Sequence, residues 1–159
     1  MTNPVLTKLD QANIHYQVIN HPPVYTAAEA DKYVQGYEFA RTKNLFLKNN
    51  GGFYLVIIDE NKRLDMKRLR QVVHGSRLQF ATDEDLKDKL GIYSGAVSPF
   101  NLVNDDDHQV TVIFDQDIIQ DHDQIGCHPN TNEQTVILAF ADLLDLLQQW
   151  GNPVMKVRL

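Results

Sequence analysis

The chain lacks most of the features that would place it outside the ordinary globular proteins of the cytosol. It has one cysteine in 159 residues, so an internal disulfide is impossible and a reducing compartment is expected. Its longest apolar runs fall well short of a membrane span, and its first residues show no basic-then-apolar signal pattern. We therefore expect a cytoplasmic protein that does not bind membranes.

Positive charge is also scarce. The formal net charge is −6 and the isoelectric point is about 5.4, which argues against a protein that coats DNA or RNA through clustered cations. Brief contact with one nucleic-acid end stays compatible with this balance. Basic residues gather between positions 62 and 70, either as a solvated surface or as a contact for phosphates.

The common metal and cofactor motifs are missing as well. The six histidines lie far apart, no cysteine pair exists, and no His-Glu-x-x-His motif occurs. The chain also has no Walker loop, no Rossmann glycine pattern and no Gly-x-Ser-x-Gly elbow. We expect neither a metal nor a cofactor.

The patterns that are present predict one α+β domain over residues 1–159, with a mixed, mainly antiparallel sheet flanked by helices. Helices are predicted over 3–12, from Thr26, and over 65–73, 82–90 and 140–149. Strands are predicted over 15–19, 39–48, 53–59, 110–114, 118–119, 133–138 and 154–159.

Lys43 is the most informative single residue. In a strand it shares a face with Leu45 and Leu47, while Asn44 points the other way with Phe46. Since burying an unpaired ammonium is costly, this lysine must reach solvent or bind an anion. The alternatives are an edge-strand lysine that deters aggregation and a ligand-binding cation.

A loop with two glycines and a proline, residues 91–99, could complete a pocket for such a ligand. Gly95 permits positive φ and close approach of a ligand, while Pro99 restricts the backbone of Ser98. Successive N–H groups in such a loop can bind a carbonyl oxygen or a phosphate. A plain turn is the other interpretation.

Two further segments carry polar groups. His128 and Asn130 flank a proline and follow Cys127, for which we favour an inert buried thiol over a nucleophile. Tyr25 and Thr26 precede a predicted helix, where free N–H groups could bind an anion and Thr26 serves as the helix cap.

Four segments in this order, residues 21–26, 42–48, 95–99 and 128–130, resemble the YbaK/prolyl-tRNA synthetase-associated domain family. The Lys-Asn-Leu-Phe-Leu-Lys, Val-Ser-Pro and His-Pro-Asn-Thr-Asn runs are most similar to its freestanding alanyl-tRNA(Pro) deacylase branch. The resemblance spans residues 4–150. It implies hydrolysis of the ester that joins a wrong amino acid to tRNA(Pro), without a metal or an enzyme nucleophile.

The resemblance also implies roles for particular residues. Lys43 would hold the terminal phosphate or the ester, and the loop from Gly95 to Pro99, which includes Ser98, would bind the carbonyl. Asn44 would orient the aminoacyl group. His128, with Asn130 beside it, would shape the amino-acid pocket, and Tyr25 and Thr26 would complete the substrate-binding residues.

The implied partner is the acceptor end of mischarged tRNA(Pro), and a complex with prolyl-tRNA synthetase is left open. The leading hypothesis is an Ala-tRNA(Pro) deacylase. The alternatives are a Cys-tRNA(Pro) deacylase of the same family and a non-catalytic module that binds tRNA or a synthetase.

Overall fold

The computed structural model describes residues 3–159, so the first two residues of the predicted domain lie outside the described residues. The helices are α1 (Pro4–Gln11), α2 (Ala27–Asp31), α3 (Met66–Val73), α4 (Asp83–Asp85), α5 (Gln116–Asp121) and α6 (Phe140–Trp150). A π-helical turn covers Leu86–Leu90 and a 3₁₀ helix covers Pro99–Asn104. The strands are β1 (Tyr16–Asn20), β2 (Thr42–Asn49), β3 (Gly52–Asp59), β4 (Gln79–Phe80), β5 (Val110–Asp115), β6 (Gln124–Cys127), β7 (Gln134–Ala139) and β8 (Val154–Val157).

These strands form two sheets. The smaller sheet has the order β1-β7-β6 and is antiparallel throughout. The larger has the order β4-β2-β3-β5-β8, in which β4, β2 and β3 pair antiparallel and β3, β5 and β8 pair parallel. The predicted α+β class with mixed, mainly antiparallel pairing is therefore confirmed, with its strands divided between two sheets.

A short bridge links the two sheets where the candidate site lies. Ala40 pairs with Ile125 of β6, and the Ala40 N–H donates to the Gln124 carbonyl at 2.7 Å. Two residues later the chain enters β2. The start of β2 is therefore held close to the end of β6, although the two strands belong to different sheets.

The main core lies between the two sheets and is closed by α1 and α6. Side chains of both sheets contribute to it, as do apolar residues of the two helices; they include Leu9, Phe46, Leu55, Ile57, Phe114, Ile125, Val136, Leu138, Leu143 and Leu147. A second cluster covers the other face of the larger sheet and includes Leu47, Val56, Ile58, Leu69 and Ile113. Because β3 is covered on both faces, residues 54–58 are all buried.

Local signals explain several element boundaries. The hairpin between β2 and β3 turns at Asn50 and Gly51, as the sequence predicts. Thr82 and Asp85 form the capping box that begins α4. The predicted helix over 82–90 does form, but it changes to π geometry at Leu86 before Gly91 ends it at a φ of 62°.

The predicted strand at Ile118–Ile119 is wrong, because this segment is helix α5. The Asp115 carboxylate accepts a hydrogen bond from the Asp117 N–H and caps the helix, which buries Ile118. Strand β6 was not predicted, since four residues that include Gly126 give too short a pattern. No helix within residues 3–159 is both long enough and apolar enough to cross a bilayer.

Candidate active site

A cavity of about 310 Å³ opens between the start of β2, the segment before α2, the glycine-proline loop and the β6–β7 edge. Its volume is in the range of small-ligand sites. The predicted site residues in its lining are Tyr25, Thr26, Lys43, Asn44, Gly95 and His128. Residues from four separate parts of the sequence thus meet at one cavity.

Lys43 lines the cavity near the beginning of β2, where it pairs with Ile58 of β3. On the other side of β2, strand β4 pairs only with Leu47 and Lys48, so the first residues of β2 have no β4 partner on that side. The Lys43 side chain is half-buried, and no salt bridge or side-chain hydrogen bond joins it to any of residues 3–159. Its charge is therefore available to a ligand.

Asn44 ties β2 to the glycine-proline loop. Its Nδ2 donates to the Val97 carbonyl at 3.0 Å, while its buried Oδ1 has no partner among the described residues. Strand alternation puts Asn44 and Lys43 on opposite faces, yet both line the cavity. An unpartnered buried acceptor is costly unless a ligand donates to it.

The loop itself is set by Gly95, whose φ of +98° disfavours any other residue. A Cβ added there would lie 3.2 Å from Cδ1 of Tyr25. Within residues 3–159, the N–H groups of Gly95 and Val97 donate to no protein acceptor, and both residues line the cavity. Such a pair of N–H donors suits a carbonyl oxygen or an oxyanion.

Three predicted substrate-binding residues lie outside the cavity lining, where they hold the loop. Ser98 is fully buried, and its Oγ accepts the Phe100 N–H while its own N–H donates to Asn101 Oδ1. Pro99 is buried at the start of the 3₁₀ helix. Asn130 Oδ1 accepts from Asn101 Nδ2 at 2.7 Å. Direct substrate contact by these three residues stays a prediction.

His128 lies on the opposite wall, just after β6. Its Nδ1 bonds to the Gln134 carbonyl at 2.9 Å, and because a carbonyl only accepts, Nδ1 carries the proton. Burial lowers the pKa of His128, the nearby His21 lowers it further, and the Gln134 bond opposes both. The ring is therefore held neutral over a wider pH range than free imidazole.

Cys127 is buried, as expected for an inert thiol. Burial raises the pKa of its thiol far above the usual range, which the hydrogen bond with Ser98 only partly opposes. A thiol that stays protonated is a poor nucleophile.

At the α2 end, Thr26 caps the helix by accepting the Glu29 N–H at 3.1 Å. The Glu29 carboxylate in turn accepts the Tyr25 N–H, so that donor is already used. The Tyr25 side chain is 67% exposed at the cavity rim. Its ring is thus accessible to a substrate, and Thr26 beside it is exposed as well.

A charged group that the sequence did not indicate forms one end of the cavity. Arg41 donates to the carbonyls of Val34 and Tyr37 at 3.0 Å and lies 3.8 Å from the Asp31 carboxylate. Burial of Glu60, with the hydrogen bond and charge of Asp31, raises the pKa of Glu60 to about 7, which Arg41 partly offsets. No spacing rule indicates this group, because three different elements bring it together.

Comparisons with known proteins agree with this architecture. The sequence profile described as the Aminoacyl-tRNA editing domain matches residues 21–146. The prolyl-tRNA editing protein ProX of Acetoanaerobium sticklandii is 35% identical over 158 residues, which cover 98% of this chain and 95% of that protein. The prolyl-tRNA synthetase associated domain-containing protein 1 of Danio rerio is 33% identical over 89% of this chain and 78% of its own.

A solved structure described as a candidate trans-editing enzyme for prolyl tRNA synthetase has the same fold. Its TM-score is 0.73 at 22% identity, over 100% of this chain and 99% of that chain. The fold is thus the α+β fold of that structure, with a ligand-sized cavity. The chain belongs to the aminoacyl-tRNA editing domain family and is an aminoacyl-tRNA deacylase. The predicted family and enzyme class are confirmed.

Proposed function

We propose that this enzyme hydrolyses Ala-tRNA(Pro) in trans, after prolyl-tRNA synthetase has attached alanine by mistake. The editing protein ProX, at 35% identity over nearly the whole chain, supports tRNA(Pro) as the substrate. The reaction takes place in the cytoplasm, where tRNA is charged. Alanine as the amino acid follows from the resemblance of residues 42–48, 95–99 and 128–130 to the alanine-specific branch.

The proposal rests on one observation: a cation without a partner and N–H donors without acceptors lie at the same cavity. Lys43 has no carboxylate partner within residues 3–159, and the N–H groups of Gly95 and Val97 have no acceptor there. An aminoacylated adenosine offers both missing partners, since its phosphate is anionic and its ester carbonyl accepts hydrogen bonds.

The chemistry follows from these contacts. Lys43 holds the terminal phosphate or the ester region, while the loop N–H groups bind the carbonyl oxygen and stabilise its charge as it becomes an oxyanion. Water attacks the carbonyl carbon, assisted by the free ribose hydroxyl of the terminal adenosine. The ester C–O bond then breaks, giving alanine and tRNA. No side chain forms a covalent bond, in keeping with the protonated Cys127 thiol and the Ser98 hydroxyl used inside the loop.

The need for such an enzyme is physical. A synthetase pocket shaped for proline rejects a smaller apolar side chain by only about 1–3 kcal/mol. A second pocket that admits alanine and excludes proline supplies the missing discrimination as a double sieve. The cavity of about 310 Å³ is the site we assign to that second sieve.

Helix α3 offers a surface for the acceptor stem. Of the basic cluster noted in the sequence, Lys62 is used internally, since its Nζ lies 2.6 Å from the buried Asp115 carboxylate. Lys67 and Arg70 are exposed. Replacing both by Gln should weaken tRNA binding several-fold. The slope of the logarithm of the binding constant against the logarithm of salt concentration should fall by the amount expected for about one to two phosphate contacts. Lys8→Gln, at an exposed position of α1, is the control.

Release of labelled alanine from Ala-tRNA(Pro) by the purified protein tests the proposal, with Pro-tRNA(Pro) and Cys-tRNA(Pro) in parallel. We expect alanine release without added metal and intact Pro-tRNA(Pro). Faster hydrolysis of Cys-tRNA(Pro) would assign the sister specificity instead. Release of proline at the same rate as alanine would refute the proposed sieve.

A further inference from the structure

A buried chain of hydrogen bonds lies behind one wall of the cavity. His21 Nδ1 bonds to the Pro22 carbonyl at 2.9 Å, and His21 Nε2 bonds to Thr135 Oγ1 at 2.9 Å. His21 is 8% exposed and Thr135 is 6% exposed, and the rings of His21 and His128 meet edge to face with centroids 6.1 Å apart. Thr135 and His128 line the cavity, whereas His21 does not.

The direction of these hydrogen bonds follows from the two that end at a backbone carbonyl oxygen. A carbonyl only accepts, so Nδ1 is the donor in both His21 and His128. In a neutral imidazole with a proton on Nδ1, Nε2 is an acceptor. The Thr135 hydroxyl therefore donates to His21 and keeps its lone pairs for the cavity.

The side chains of Thr135 and His128 on this wall thus present acceptors and no donor. Thr135 Oγ1 is one acceptor, and His128 Nε2, which bonds to no other described residue, is the second. Both imidazoles also lack a carboxylate partner within residues 3–159, and a buried imidazolium without a counter-ion is costly. The Asp31 and Glu60 carboxyl groups line the same cavity and add further acceptors.

Within an aminoacyl-adenosine ester, two groups consist of donors alone, the α-ammonium group and the N6 amino group of adenine, and of these only the ammonium is charged and lies next to the ester carbonyl. The ester carbonyl, the ribose hydroxyls and the phosphate all carry acceptors, and the loop N–H groups suit the carbonyl. We propose that Thr135 Oγ1 and His128 Nε2 bind the α-ammonium group of the substrate, and that His21 is a positioning residue that orients the Thr135 hydroxyl. The enzyme would then act on free aminoacyl esters and reject esters whose α-amino group is blocked or replaced, as in peptidyl-tRNA. This inference depends on the proposed function.

The test compares alanyl-tRNA(Pro) with lactyl-tRNA(Pro), in which a hydroxyl replaces the α-ammonium at nearly the same size. Each catalysed rate is divided by the spontaneous hydrolysis rate of the same ester, because the two esters differ in reactivity. Hydrogen bonds to a charged group are strong enough for a preference of about 10- to 100-fold for the alanyl ester. The wild-type protein should show that preference.

Matched variants separate recognition from folding. Thr135→Val keeps the side-chain shape without the hydroxyl and should lower the preference about tenfold, whereas Thr135→Ser should retain it. His128→Asn keeps a donor for the Gln134 carbonyl but lacks Nε2, and should lower the preference more than His128→Gln, whose longer amide replaces the acceptor. His21→Leu should lower the preference as Thr135→Val does. If Thr135→Val does not fold, the two His128 variants decide the matter.

Equal acceleration of both esters by the wild-type protein would overturn the inference and leave the proposed function intact. So would an unchanged preference in Thr135→Val, or in His128→Asn if Thr135→Val does not fold. No hydrolysis of Ala-tRNA(Pro) at all by the wild-type protein would overturn both.

Discussion

Lys43 and Lys62 lie at the same end of the β2–β3 hairpin, but they differ in whether a carboxylate is their partner. Lys62 Nζ is 2.6 Å from the fully buried Asp115 carboxylate and 3.8 Å from Asp117. Lys43, also half-buried, has no carboxylate within 4 Å among residues 3–159. One charge is part of the folded structure and the other is available to the cavity.

A third lysine supports this division. Lys48 lies 2.6 Å from Asp85, and that contact, with the bonds from Thr82, lowers the pKa of the Asp85 carboxyl. Lys62 and Lys48 are thus each paired with a carboxylate, whereas the half-buried Lys89 bonds to Gln109 and lies over the Phe53 ring. An unpaired cation at a cavity costs folding free energy that an anionic ligand offsets on binding. We infer that Lys43 is unpaired because the substrate is its partner.

The largest expected effect separates the two lysines by activity. Lys43→Met should lower kcat/KM for Ala-tRNA(Pro) by about 10²- to 10³-fold, the loss typical of a missing electrostatic contact in the transition state. Lys62→Met should leave kcat/KM per folded molecule unchanged. Single-turnover deacylation with equal amounts of folded protein measures both values. Similar losses of kcat/KM in the two variants would contradict the distinction between the two lysines.

Stability should show the reverse order. Lys62→Met leaves Asp115 buried without its cation, so the free energy of unfolding should fall by about 3 kcal/mol. Lys43→Met removes an unpaired cation and should change it by less than about 1 kcal/mol. Urea unfolding followed by circular dichroism provides both numbers. A larger loss in Lys43→Met than in Lys62→Met would show that Lys43 has a structural partner.

Gly95→Ala should have an intermediate effect on both the deacylation activity and the free energy of unfolding. Its φ of +98° strains any other residue by about 1–2 kcal/mol, and relief of that strain would move the loop N–H groups. We expect that loss of stability and at least a tenfold loss of deacylation. Gly36→Ala is the matched control, since its φ is +87° and a Cβ there meets no atom within 4 Å. It should lose similar stability and keep its activity; equal activity in both variants would exclude an oxyanion role for the loop.

The smallest effect concerns pH and the charged end of the cavity. Burial and Asp31 raise the pKa of Glu60 from 4.5 to about 7, so the folded state binds more protons than the unfolded state between those values. The stability that protonated Glu60 contributes to the folded state is fully present below pH 4.5 and is lost as the pH rises through 7. Because Glu60 is partly exposed, we expect Glu60→Gln to gain no more than about 1 kcal/mol at pH 8 and nothing at pH 4.5. Denaturant unfolding at the two pH values tests this, and an equal gain at both would contradict it.

Sequence reasoning worked best where the cause is local. The Thr82 cap, the turn at Asn50 and Gly51, and the helix end at Gly91 all depend on residues within a few positions. It failed at Ile118 and Ile119, where two adjacent β-branched residues favoured a strand but the Asp115 cap begins a helix.

The same limit applies to the site. Lys43, Asn44, Gly95 and His128 stand out by residue type and motif, and the structure brings them to one cavity. Thr135 carries no local signal, because its contact with His21 depends on the antiparallel pairing of β1 with β7. The strand pairing that places such residues is set by packing across 114 positions of sequence, which no short pattern contains.

The central claim, that a cation at position 43 supports the reaction, has a direct chemical test. Lys43→Cys should be nearly inactive, and alkylation with 2-bromoethylamine should restore an ammonium of similar reach. The single native thiol, Cys127, is buried and its raised pKa protects it from alkylation. Treated wild-type protein and an iodoacetamide adduct of Lys43→Cys are the controls. We predict that deacylation of Ala-tRNA(Pro) returns only with the aminoethyl group; full activity in unmodified Lys43→Cys, or no recovery after complete aminoethylation, would contradict the account.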